Sequence, residues 1–210
     1  MSETYEIRWI KAGIAGGMFA SVLYPALLLL PGPPFAVTTL AAFLGLSIGV
    51  GSLGLRQLID LHGPSVSASL GAISNYTAGA LFTAMALVQL AVKQIGADMA
   101  ITLQPDLEGV WLGLDVAWDL YIGVGTILFA WAVKSHPRFG WWFAGPGLAV
   151  GVGLLVTNLA VFPTPPSAAG LIDLGPLVGL WYLAATIQAW RSVDWARKRL
   201  ATEEHSVPAF

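Results

Sequence analysis

The stretch Val110–Gly123, VWLGLDVAWDLYIG, decides how the chain is read. It is a run of large apolar and small residues that suits a helix in lipid, except that Asp115 and Asp119 interrupt it four residues apart. Trp111, Asp115, Trp118, Asp119 and Ile122 recur at i, i+4, i+7, i+8 and i+11. That spacing places them on one stripe of an α-helix. The pattern predicts a transmembrane helix whose acid and aromatic stripe faces protein rather than hydrocarbon.

The rest of the chain agrees. Of 210 residues, 56% are hydrophobic and 10% charged, against roughly 25% charged in a soluble domain. Most of such a surface does not face water. About 20 largely apolar residues cross the hydrocarbon core, and six segments meet that length: 10–30, 35–55, 67–92, 108–133, 141–162 and 168–190. The predicted fold is an all-α, polytopic bundle of six transmembrane helices over residues 1–190, followed by a basic tail over 191–210. The first segment follows Arg8 and Lys11, but its apolar run is longer than a signal-peptide core and has no polar cleavage region behind it. It reads as a retained helix.

Basic residues set the orientation, because cytoplasmic flanks hold the excess of Lys and Arg. Arg8, Lys11, Arg56, Lys134, Arg138, Arg191, Arg197, Lys198 and Arg199 fall on one side, and Lys93 alone on the other. Both termini are therefore expected in the cytoplasm of a bacterial-type plasma (inner) membrane. Trp9, Trp131, Trp141, Trp142 and Trp190 would mark the inner interface and Trp111 the outer one. The tail "RSVDWARKR" continues the sixth helix in this reading, with Arg191, Arg197, Lys198 and Arg199 meeting anionic headgroups.

Several chemistries are excluded or disfavoured. Cysteine is absent, which removes iron–sulfur clusters, thiolate metal sites and cysteine nucleophiles. His62, His136 and His205 lie in polar connections or the tail, so an intramembrane haem pair is not expected. No cofactor is predicted. A net charge of −2 and scattered basic residues give no nucleic-acid footprint. Gly49–Gly54 matches G-x-G-x-x-G by letters only, since no strand precedes it. No nucleophile or metal ligand stands beside Asp115 and Asp119, which argues against an enzyme.

Polar groups inside the predicted spans are few: Asn75, Tyr76, Asp115, Asp119, Asn158, Asp173 and Gln188. With the orientation above, Asp115, Asp119, Asp173 and Asn158 fall in the outer half, and Asn75 falls in the inner half. Counted from Trp111, Asp115 is about 6 Å and Asp119 about 12 Å along the helix at 1.5 Å per residue. A carboxylate that deep costs roughly 2.5–3.5 kcal/mol on insertion scales. No basic residue lies at the same depth, so a bound cation or water compensates the charge, or burial and mutual repulsion keep some acids protonated. Pro176 is expected to bend the sixth helix and free the Ile172 carbonyl.

Two functional classes follow. One is a pocket open to the outer side, built from Asp115, Asp119, Asp173 and Asn158 with Trp118 and Trp181 as π-faces. It would bind a small ligand, cation or proton for transport or sensing. In the bland alternative Asp115 snorkels outward, Asp173 caps the sixth helix and Asp119 bonds a neighbouring helix. The other class is an accessory subunit, homo-oligomeric or part of a membrane complex, that packs through Gly13/Gly17, Gly45/Gly49, Gly147/Gly151 and Gly175/Gly179. Helices two, five and six would then pack most closely. Proline-rich PGPP and PTPP connections suggest two stiff hairpins on the outer side.

The stretches "EGVWLGLDVAWDLYIGVGT" and "FPTPPSAAGLIDLGPLVGLWY" resemble six-helix bacterial integral membrane proteins classed only as a domain of unknown function. The resemblance implies the six-helix count and transfers no activity, partner or site residue.

Overall fold

The computed structural model describes residues 4–29, 34–99, 105–164, 166–167 and 169–204. Seven helices account for nearly all of them: α1 Tyr5–Leu29, α2 Pro34–Asp60, α3 Val66–Met99, α4 Pro105–Val133, α5 Trp141–Val161, α6 Gly175–Arg191 and α7 Val193–Glu204. No strand occurs among the described residues. In α1 to α5, five stretches are long and apolar enough to cross a membrane. Helices suit that environment because every backbone donor and acceptor finds its partner within the segment. Connection 30–33, Pro165, the side chain of Lys93 and residues 205–210 lie outside the described set, and with them part of the two-hairpin expectation and His205.

Local chemistry sets the helix ends. Ser65 caps α3, its Oγ accepting the Ala68 N–H at 3.1 Å. Asp60 closes α2 by pairing with Arg56 at 3.2 Å and accepting the Ser65 N–H at 3.0 Å. This polar knot carries α2 five residues beyond the expected Leu55. Gly140 enters α5 at φ 72°, where a side chain would be strained.

The last two helices differ from expectation. α6 starts at Gly175, not near 168, and Pro176 occupies its first turn. Proline there lacks only an N–H that would have no helical partner anyway, so it starts the helix instead of bending it. The expected kink and freed Ile172 carbonyl are absent. The tail is also a separate element. Ser192, fully buried, ends α6 with its Oγ donating to the Gln188 carbonyl at 2.7 Å, and α7 turns back under the bundle. Ala196 and Val193 enter the core beside Ile7, Leu58 and Phe139. The end where α7 docks is the base of the bundle, and the opposite end is its top.

Neighbours in sequence pack against each other from α1 to α5, and α6 closes the ring against α5 and α1. Glycines make the contacts close. Gly13 faces Gly54 and Gly17 faces Gly51 between α1 and α2, while Gly45 faces Gly79 between α2 and α3. Gly71 meets Gly125, and Gly123 meets Gly151, along the next two seams. The closest seams therefore follow the chain order from α1 to α5 rather than joining helices two, five and six. Gly147 does serve α5 and α6, because the Trp181 indole lies where its Cβ would be.

Candidate functional site

Ring closure through α6 leaves a cavity of about 360 Å³ bordered by α1, α2, α4 and α6. Its walls are mainly Ile, Leu, Val, Ala and Gly, and no Lys or Arg lines it among the described residues. The wall on α4 is Trp118, Asp119 and Ile122. These are the lower members of the stripe read in the sequence, and Ile122 is buried while Trp118 packs edge-on against Phe82 at 5.1 Å.

Asp119 is the acid that lines the cavity. It lies close enough to Asp115 and Asp173 for their charges to interact, and the Asn158 side chain is within hydrogen-bonding reach of it. Asn158 is buried and also donates from Nδ2 to the Leu154 carbonyl at 3.0 Å. These four residues thus meet near the top of the bundle, from α4, α5 and the segment ahead of α6. Asp115 is half-buried and Asp173 exposed. Asp173 has a structural task as well, since its Oδ1 accepts the Gly175 N–H at 2.8 Å and caps the start of α6.

Trp181 is not part of this group. It is buried towards the base, donates from Nε1 to the Phe143 carbonyl at 2.9 Å, and holds α6 to α5. Deep indoles need such a partner. Arg191 at the end of α6 and Arg197, Lys198 and Arg199 on α7 are all exposed. Two of them also have partners in the protein: Arg197 pairs with Asp194 at 2.8 Å, and Arg199 donates to the Leu61 carbonyl at 3.3 Å.

Two groups emerge only in three dimensions. Tyr24, near the top of α1, lines the cavity and is close enough to all three acids to interact with them. Below it, Asn75 adds a polar group to the wall midway down, although α3 barely touches the cavity. The fully buried Asn75 donates from Nδ2 to Ser52 Oγ at 2.9 Å and to the Tyr182 hydroxyl at 2.7 Å. The Tyr182 hydroxyl lies 3.3 Å from Thr126 Oγ1, whose own proton goes to the Ile122 carbonyl at 2.7 Å. This knot ties α2, α3, α4 and α6 together across the bundle. Other polar lining groups turn onto their own helices: Ser21 to the Gly17 carbonyl and Thr186 to the Tyr182 carbonyl, both at 2.8 Å. Asp119 and Tyr24 are left as the polar groups best placed to meet an occupant.

No protein-family model matches the chain, and neither does any curated protein or solved structure. The site alone therefore carries the functional reading.

Proposed function

We propose that this is a membrane-embedded binding protein that takes a positively charged group at Asp119, in the service of transport or sensing. The observation that carries this reading is Asp119 lining an apolar cavity that, among the described residues, no Lys or Arg lines. Ligand sites combine apolar walls with a few convergent polar groups in roughly 300–1,000 Å³, and an intramembrane acid without a basic partner marks such a site. Trp118 beside the acid offers a π-face to a cation.

The proposed setting is a bacterial-type plasma membrane, crossed six times with both termini cytoplasmic. α6 has 17 residues, about 26 Å at 1.5 Å per residue, and the apolar Leu171–Ile172 pair ahead of it extends that reach. Arg56, Lys134, Arg138 and Arg191 lie at or beside the base ends of the spans, which supports a cytoplasmic base. Exposed Trp131, Trp141, Trp142 and Trp190 form an interfacial girdle there, with the Lys134 ammonium 3.1 Å from the Trp131 ring centroid. The accessory-subunit reading loses support where its glycines already serve contacts inside the bundle.

Titrating tetramethylammonium into the protein in lipid nanodiscs tests the binding reading. Saturable binding that Asp119→Asn removes is expected, and binding that is absent or indifferent to Asp119→Asn would overturn it.

A further inference from the structure

The shape of the cavity narrows the ligand class. Its wall on α1 runs from Ile10 near the base to Pro25 near the top, and on α6 from Ala189 to Gly175. Fifteen residues of α1 span roughly 22 Å at 1.5 Å per residue. That length takes up an extended alkyl chain running along the α1–α6 seam.

Its chemistry is graded along the same axis. Asp119 and Tyr24 stand in the upper half, with the Asp115 and Asp173 carboxyl groups nearby. Towards the base the lining is Ile10, Ile14, Leu55 and Ala189, and the hydroxyls there are bonded internally. The lining residues that are exposed, Pro25, Pro176 and Leu180, are all apolar and flank α1 and α6 near the top. A mouth edged by such residues faces hydrocarbon and admits an occupant already dissolved in the bilayer.

On the reading that Asp119 binds a positive charge, we infer that the occupant is a cationic amphiphile, an alkylamine or alkyl quaternary ammonium. Its headgroup sits among Asp119, Tyr24 and Trp118, and its chain lies between α1 and α6 towards the base. Charge complementarity selects against phospholipids, because a phosphate at the same level would meet three carboxyl groups and, among the described residues, no Lys or Arg on the cavity wall.

Gly179 provides the test. It lines the cavity, yet a Cβ added there meets nothing within 4 Å, so Gly179→Leu fills the channel without forcing the helices apart. Binding is measured in nanodiscs, with protein-free nanodiscs subtracted, for three probes: dodecyltrimethylammonium, tetramethylammonium and dodecanol. Dodecyltrimethylammonium should bind saturably and at least tenfold more tightly than tetramethylammonium, which has the same headgroup and no chain. Asp119→Asn should weaken it at least tenfold. Gly179→Leu should do the same while leaving tetramethylammonium binding unchanged, which also shows that the variant is folded. Equal binding of dodecyltrimethylammonium and tetramethylammonium, or an unaffected Gly179→Leu, overturns the chain assignment while leaving a cation site at Asp119 intact. Dodecanol binding as well as dodecyltrimethylammonium, with neither cation sensitive to Asp119→Asn, overturns both.

Discussion

Gly125→Ala is the sharpest structural perturbation available, because a single methyl group would strike the polar knot on the cavity wall. The Asn75 carboxamide occupies the space that a Cβ on Gly125 would take. The amide must then move, and its bonds to Ser52 at 2.9 Å and Tyr182 at 2.7 Å break. Interhelical hydrogen bonds in membranes average about 0.6 kcal/mol each, so losing two costs about 1 kcal/mol. Overpacking adds about 1–3 kcal/mol. Alanine regains about 1 kcal/mol of helix propensity over glycine, which leaves a net loss of about 1–3 kcal/mol. Gly113→Ala on the same helix is the control. It gains the same propensity and its Cβ meets nothing within 4 Å, so the two variants should differ by about 2–4 kcal/mol. Reversible unfolding in mixed micelles, followed by circular dichroism, measures both. Adding Asn75→Ala to Gly125→Ala should restore space, giving a coupling of about 1–3 kcal/mol in the double-mutant cycle. If Gly125→Ala proves as benign as Gly113→Ala, the placement of Asn75 is wrong.

Two further outcomes are expected away from the cavity. His136 lies at the base against Phe139, Trp195 and His62, and burial, helped by the charges of His62 and Arg138, pushes its imidazole down from 6.5 to about 4. The unfolded chain then binds a proton between those values while the folded chain does not. Stability is full above about pH 6.5 and falls towards pH 4, by up to about 3 kcal/mol. Unfolding measured across that window should show a shallower pH slope in His136→Phe, and identical slopes would refute the linkage. The second outcome concerns topology. Because the chain has no cysteine, single cysteines report cleanly: Glu6→Cys and Thr202→Cys should react with impermeant maleimide only from the cytoplasmic side, and Ser167→Cys only from the other. Labelling of Thr202→Cys from outside would overturn the six-span reading.

How much could be read from the sequence depended on periodicity. The α4 stripe was legible because its period is short and its residues are chemically distinct, and in the structure Trp118, Asp119 and Ile122 share one cavity wall. Asn75 was set apart from the acids by depth alone. Depth along a helix does not say which helices face one another, and the Asn75 amide meets Tyr182 across the bundle. Tyr182 and Tyr24 looked like two more aromatic residues in apolar runs. Pro176 was ambiguous for a related reason: the same residue starts a helix or bends one, and the choice depends on whether 168–174 is helical. Those residues include Gly170 at φ 77° and the Asp173 cap, which favour a turn over a helix. His136 looked solvent-exposed because nothing local predicts that α7 folds back over it. The basic tail invited a continuous helix, and only the buried Ser192 shows where it breaks.

The central claim is that Asp119 stands in an accessible cavity and receives a positive charge there. Dicyclohexylcarbodiimide, a lipid-soluble reagent for carboxyl groups, addresses it directly when labelling is read by peptide mass spectrometry. The account predicts that Asp119 is modified in nanodiscs, and that dodecyltrimethylammonium slows its modification while dodecanol does not. An unreactive Asp119, or one modified at the same rate with and without the cation, would contradict it.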